Sequence, residues 1–187
     1  MGVMREFRLE LTPQQIFKVL KYSKESPKLQ AEVLWGVDIV NTLCKPKAVY
    51  ELFSISFSGQ GKVKLHDSKG KRTVDLDFSQ RIDLLTPAKL VQVSVITLGT
   101  ELDMMFKEIQ RMKQILKAYI LDLITIIALD QAGRSVNKVA EREAALRGLA
   151  GYYPQMHRQA GRRPGVNSVL ASMLYSRNRW PCPGRAL

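Results

Sequence analysis

Polar residues interrupt the most apolar part of the sequence, a run from about Ile115 to Leu129. Asp122 lies inside the run, Thr125 follows about one helical turn on, and Asp130 comes directly after its end. A buried carboxylate without partners is energetically costly. We therefore expect Asp122 either to bond to the backbone or to a C-terminal arginine, or to hold the amine or ribose of a ligand.

The turn Thr97-Leu98-Gly99 is a second candidate for ligand binding. It follows a strand predicted over residues 90–96, which is rich in β-branched side chains, and it precedes a predicted helix. Turns between a strand and a helix offer free backbone N–H groups, and ligands often bind there in α/β folds. The alternative is a turn that serves packing, with Gly99 supplying backbone angles that other residues resist.

The histidines and cysteines indicate neither a metal site nor a nucleophile. His66 lies beside a predicted turn, His157 lies in the C-terminal segment, and Cys44 and Cys182 are far apart, so no metal-ligand spacing is present. Gly59-Gln60-Gly61 joins two predicted strands and is interpreted as a hairpin turn, because a phosphate-binding loop is followed by a helix. Two scattered thiols favour a reducing, cytoplasmic setting.

The positive charge of the chain is concentrated at its C-terminal end. The net charge is +12 over 187 residues, and residues 144–187 contain seven arginines, no lysine and no acid. These arginines could bind phosphate or nucleic acid, but no interleaved aromatic residues typical of single-strand binding accompany them. A solvated or disordered basic tail is the preferred interpretation, and nucleic acid is not the expected partner. We also expect no membrane association, because the apolar run is short and contains charges.

Capping signals and hydrophobic periodicity predict the elements that hold these residues. Helices should begin at Thr12-Pro13 and Ser26-Pro27, because Ser and Thr cap helices and Pro fits the first turn. Alternation of polar and apolar residues predicts strands. The predicted strands cover residues 5–11, 49–57, 62–65 and 90–96, and further helices cover about 102–112, 115–129 and 135–147.

The apolar run should form the centre of the domain. A helix without a polar face is expected to be covered on all sides. We predict that Ile120, Leu123, Ile127 and Phe106 are almost fully buried.

Four segments, in their order and spacing, resemble the activation domain of cobalamin-dependent methionine synthase, and more closely the short stand-alone bacterial proteins of that type. They are LTPQQIFKVLKY, KPKAVYELFSI, VQVSVITLGTELDMMFKEI and KAYILDLITIIALDQAG. The family typically has Pro-x-Ala-x-Tyr before a strand, T-L-G at a strand end and Leu-Asp on the next helix. The matching residues here are Pro46, Ala48 and Tyr50, then Thr97-Leu98-Gly99, then Leu121-Asp122.

The resemblance implies a fold and an activity. The fold would be α/β (α+β), with a twisted, mainly antiparallel sheet packed with helices. The activity would be reactivation of a methionine synthase: the domain binds S-adenosylmethionine and docks on a partner module that carries the cobalamin, and an electron donor such as flavodoxin reduces that cobalamin. The alternative is a docking or assembly module for a corrinoid protein, without chemistry of its own.

The resemblance also implies a ligand site. The family motif is R-x-A-P-G-Y, and this chain has Arg158-Gln159-Ala160-Gly161, without the proline. The expected S-adenosylmethionine site therefore comprises Arg158, Ala160 and Gly161, with Asp130 or Asp122 facing the cationic amine and sulfonium.

The same segment sets the expected domain boundaries. Residues 1–160 should form the activation-domain-like unit, and residues 161–187 an irregular basic tail that folding does not need. A shift of reading frame near Ala160 is one hypothesis for the change in composition.

Overall fold

The computed structural model describes residues 2–5, 7–20, 26–58, 62–67, 70–77, 88–158 and 167–176. Strands and helices alternate irregularly along these residues, with most strands in the first half. The elements are β1 (Gly2–Arg5), α1 (Pro13–Leu20), α2 (Pro27–Leu43), β2 (Lys47–Phe57), β3 (Lys62–His66), β4 (Thr73–Asp77), β5 (Ala88–Thr97), α3 (Thr100–Arg111), α4 (Ile115–Leu146), β6 (Leu149–Arg158) and β7 (Asn167–Ser176).

The strands form one antiparallel sheet. Its order within the described residues is β4-β3-β2-β5-β7-β6, and β1 pairs with β2 outside this path. The central pair aligns Lys47 with Thr97 and Tyr50 with Ser94. This arrangement, with the helices packed against the sheet, confirms the predicted α/β fold with a mainly antiparallel sheet.

The helix starts follow the capping signals. Pro27 opens α2, and the Ser26 side chain accepts a hydrogen bond from the Leu29 backbone N–H at 3.4 Å. Such a bond satisfies one of the backbone donors that a helix start leaves unpaired. Pro13 opens α1, and there the Thr12 backbone N–H donates to Gln15 Oε1 at 3.1 Å, so both predicted starts are confirmed.

The core lies between the sheet and the helices. Alternate residues of β2 and β5, among them Ala48, Leu52 and Ile96, are buried together with α2 and α4. A second, smaller cluster contains Val63, Leu65, Ala88 and Val91. It follows from the two-residue period of strands that Val91 and Ile96 face opposite sides of β5.

Helix α4 changes its buried face near its middle. Ile120, Leu121 and Ile124 are buried in the first half, whereas Val136, Asn137, Ala140 and Ala144 are buried in the second. Ile124 and Ala140 are 16 positions apart, which places them about 160° apart around the helix axis. The two halves therefore pack on opposite sides, and Ile115, Tyr119, Asp122 and Ile126 are exposed.

Three predictions about α4 and its neighbour Phe106 on α3 need correction. The expectation that this helix is covered on all sides is wrong, because each half of α4 has only one covered side. Ile120 is fully buried, as predicted, but Leu123, Ile127 and Phe106 are only half-buried. The premise that Asp122 is buried is also wrong, since it lies on the exposed side of the first half. The continuation of the helix through residues 135–147 is confirmed.

The C-terminal segment contributes a strand to the interior of the sheet. Within residues 161–187, Asn167–Ser176 forms β7, which pairs with β5 on one side and β6 on the other. The prediction of irregular structure is therefore wrong for these residues, because strand pairing with distant partners overrides the weak local pattern. Residues 159–166 and 177–187 lie outside the described residues.

The N-terminal strand also differs from its prediction. The strand is Gly2–Arg5, paired with the first residues of β2, and residues 7–11 are not part of it. No helix in the described ranges is long and apolar enough to cross a membrane.

Candidate functional site

The turn after β5 is held by its own polar atoms. The Lys45 backbone N–H donates to the Leu98 carbonyl oxygen at 2.8 Å, and the Gly99 N–H donates to Thr97 Oγ1 at 3.2 Å. Leu98 itself is fully buried. Of the two interpretations of this turn, the geometry favours packing, because the Gly99 N–H that a ligand would use already has an acceptor.

Gly99 needs to be a glycine for two reasons. Its φ of 104° with ψ of 159° lies in a region that is essentially restricted to glycine. A Cβ at this position would also lie 3.4 Å from Lys45 Cβ and 3.3 Å from Glu101 Oε2. The turn at Gly99 therefore packs closely against Lys45, in the segment that leads into β2.

An ion pair lies beside the same turn. Lys45 Nζ bonds to Glu101 Oε1, joining the segment before β2 to the first turn of α3. Hydrogen bonding from Lys45 lowers the pKa of the Glu101 carboxyl. Both groups are well exposed, so the pair adds little to stability but fixes the position of a cation and an anion beside the turn.

The Pro46, Ala48 and Tyr50 positions share the buried side of the entry into β2. The Tyr50 hydroxyl donates to Glu143 Oε2 on α4 at 3.4 Å. Burial raises the pKa of Tyr50, and the nearby Glu143 carboxylate raises it further. The tyrosine therefore stays protonated and links the sheet to the second half of α4.

A polar layer next to Tyr50 was not foreseen from the sequence. Gln92 and Ser94 of β5 are fully buried against α4, and Gln92 Nε2 donates to Asn137 Oδ1 at 3.4 Å. Their spacing was a usable signal, because Gln92 and Ser94 alternate with valines in a strand whose polar positions would normally face water. In this strand the polar residues face the helices.

Arg158 is the last residue of β6 and lies at the same end of the sheet. Its backbone pairs with Val169, Val169 pairs with Val95, and Val95 pairs with Val49. Two strand spacings, about 10 Å, separate Arg158 from Val95. The predicted ligand residues Ala160 and Gly161 lie outside the described residues.

The two predicted carboxylates are separate from each other. Asp122 and Asp130 are eight positions apart on α4, which is about 12 Å along the axis. Asp130 Oδ2 forms an ion pair with Arg134 at 2.8 Å. Asp122 is exposed, and partial desolvation by the surrounding helix raises its pKa. One ligand amine could therefore contact one of these groups but not both.

His66 is surrounded by hydroxyl groups. Its Nε2 lies 2.8 Å from Ser56 Oγ, and its Nδ1 lies 3.3 Å from Thr73 Oγ1. Among the described residues, no three His, Cys, Asp or Glu side chains are grouped so that they could hold a metal ion. The hydroxyl contacts across β2, β3 and β4 make His66 a cross-strand bridge.

Comparison with known proteins gives resemblances in structure but none in sequence. No family model matches the chain, and no curated protein matches it. Among solved structures, the fold is similar to the crystal structure of the MetH reactivation domain bound to AdoHcy, with a TM-score of 0.45 and 11% sequence identity. The match covers 96% of this chain and 80% of the other.

Proposed function

We propose that the chain is a reactivation factor for a cobalamin-dependent methionine synthase. In this proposal it binds S-adenosylmethionine and presents it to a cobalamin carried by a partner protein. An electron donor such as flavodoxin reduces the cobalamin, which then accepts the methyl group from the sulfonium and leaves S-adenosylhomocysteine.

One observation carries the proposal: motif segments that are distant in sequence meet at one end of the sheet. Lys47 pairs with Thr97 and Ala48 with Ile96, so the Pro46-to-Tyr50 segment lies directly against the Thr97-Leu98-Gly99 segment. β6 delivers Arg158 to the same end, two strands away. Short motifs that match by chance would have no reason to converge in this way.

The chemistry of these residues suits the ligand. The amino acid end of S-adenosylmethionine carries a carboxylate, which an arginine can hold with two parallel hydrogen bonds. Arg158 is assigned this role, and the backbone around Ala160 and Gly161 is assigned the adenine edge, where small residues allow close approach.

The cationic part of the ligand requires a carboxylate. Of the two candidates, Asp130 adjoins the half of α4 that packs against the sheet, whereas Asp122 lies eight positions away on the exposed side of the first half. Asp130 is therefore assigned to the amine or sulfonium. Its partner Arg134 is exposed and can move aside at little cost, because exposed ion pairs are weak.

Calorimetric titration of the protein with S-adenosylmethionine tests the proposal. Binding is expected for the unmodified chain and should weaken at least about tenfold in Arg158→Ala, since a bidentate charged contact is lost. The matched control is Arg142→Ala, which removes an exposed arginine on α4. Equal affinity in Arg158→Ala would refute the site.

A second measurement separates the two functional classes. A folded protein that does not bind S-adenosylmethionine at millimolar concentration, yet binds a corrinoid protein, would support the docking module instead. Restoration of activity to an oxidised methionine synthase core, dependent on S-adenosylmethionine, would support reactivation.

A further inference from the structure

The first half of α4 carries an exposed stripe of large side chains. Ile115, Tyr119, Asp122 and Ile126 follow each other at intervals of four, three and four residues, which places them on one side of the helix. Ile115 is 81% exposed, Tyr119 60% and Ile126 46%. Three large apolar or aromatic residues so exposed in one line are unusual for a surface without a partner.

The stripe lies on the side of α4 that faces the sheet further along the helix. Gly133, Asn137, Ala140 and Ala144 continue the same line at helical spacing, and all four are buried. Among the described residues, the sheet therefore covers this side of α4 in the second half of the helix and leaves it open, as a step, in the first half. A helix against a sheet needs a layer about 10 Å deep, which is also the diameter of one helix.

The sequence of the stripe is self-complementary. Along the axis the four residues lie at about 0, 6, 10.5 and 16.5 Å, and this pattern is unchanged when its direction is reversed. In an antiparallel pair of identical helices, Ile115 would lie opposite Ile126, and Tyr119 opposite Asp122. Each contact occurs twice, and each joins groups that suit one another: two isoleucines, or a phenol that donates to a carboxylate.

We propose that the first half of α4 pairs with the same segment of a second copy of the chain, antiparallel about a two-fold axis. Each helix occupies the step left by the sheet of the other copy. The interface is isologous, as two-fold dimer interfaces are. The proposal does not depend on the proposed function.

The helix dipoles and the Tyr119–Asp122 pair agree with this orientation. Antiparallel helices align their dipoles favourably. A tyrosine hydroxyl that donates to the Asp122 carboxylate favours its charged form, and this offsets the desolvation that raises the pKa of Asp122.

Sedimentation and light scattering over a range of concentrations test the dimer. The chain has a mass of 21.2 kDa, and the measured mass should rise towards twice this value as concentration increases. Ile115→Lys and Ile126→Glu should each weaken self-association at least about tenfold, because each places an unpaired charge in an apolar contact. Leu34→Lys is the matched control, since Leu34 is 54% exposed, between Ile126 and Ile115, but lies on α2.

A mixture of the two charged variants tests the register. Lysine at position 115 of one copy lies opposite glutamate at position 126 of the other, so the mixture should form a heterodimer that neither variant forms alone. Thermal unfolding followed by circular dichroism establishes that both variants are folded. A monomeric unmodified chain at all concentrations, a dimer insensitive to both substitutions, or a mixture that remains monomeric would each overturn the proposal.

Discussion

The side-chain amide of Gln92 on β5 donates a hydrogen bond to Asn137 Oδ1 on α4, 3.4 Å away, in the buried layer between sheet and helix. Asn137→Leu should cost about 1–3 kcal/mol in the free energy of unfolding, because the Gln92 amide loses a buried acceptor. The double variant Gln92→Met/Asn137→Leu should lose less than the sum of the single changes. Urea denaturation measures all three, and simple additivity would show that the two side chains act independently.

The crossing of α2 and α4 leaves no room for a side chain at Gly36. A Cβ there would lie 2.6 Å from Ile124 Cδ1, in the fully buried core. Gly36→Ala should therefore destabilise the protein by about 1–3 kcal/mol, despite the better helix propensity of alanine. Ile124→Val removes the clashing methyl group, so the double variant Gly36→Ala/Ile124→Val should be more stable than Gly36→Ala alone. The opposite order of thermal midpoints would contradict this packing.

Gly99 should be less replaceable than the other glycines with positive φ. Gly99→Ala should cost about 1–3 kcal/mol, since alanine resists these backbone angles and its Cβ would press on Lys45 and Glu101. Gly70→Ala is the control: φ there is 66° and nothing lies within 4 Å of the added Cβ. Chemical denaturation compares the two, and equal losses would show that the contacts at Gly99 are unimportant.

Removal of residues 162–187 should abolish folding. The deletion takes away β7, which lies between β5 and β6, and would expose the apolar edge and face of β5. The milder change Leu170→Pro, which places a proline in the interior of a central strand, should lower the thermal midpoint strongly. A truncated protein that melts cooperatively within a few degrees of the full chain would restore the expectation of a dispensable tail.

Cys44 should react slowly with alkylating reagents. Burial raises the pKa of its thiol to about 11, so only about one thiol in a thousand is ionised at pH 8, compared with about a quarter for an ordinary cysteine. In a Cys182→Ser background, the rate with iodoacetamide should increase about tenfold per pH unit up to pH 10. Unfolding in urea at pH 8 should accelerate it about a hundredfold or more. Rapid alkylation of the folded protein at pH 8 would contradict the burial.

Local sequence signals predicted two kinds of element. In some, the contacting residues are close together in the sequence; in others, the alternation of polar and apolar residues is strong. Ser26 and Pro27 set the start of α2, and the alternation along β2 gave its buried side. The remaining elements were not predictable from local sequence, because their structure depends on partners that are distant along the chain. β7 is a strand because β5 and β6 pair with it, and α4 looks uniformly apolar because its two halves are covered from opposite sides, so no single periodicity exists along it.

The residues of the candidate site that belong to local motifs were predictable, whereas their arrangement in space was not. Arg158 and the Thr97-Leu98-Gly99 turn were identified from motifs, and their convergence at one end of the sheet came from strand pairing over long separations. Asp122 was misplaced because an aspartate among apolar neighbours looks buried until the exposed side of its helix is known. The Gln92–Asn137 pair joins residues 45 positions apart, which no local pattern reveals.

The position of β7 has a consequence for synthesis on the ribosome. β6 is made before β7 but, within the described sheet, has β7 as its neighbour, and β5 is completed on that side by β7 alone. While residues 167–176 are still in the exit tunnel, β5 and β6 present open edges that can pair with other nascent chains. Final closure of the sheet must therefore follow translation of this segment.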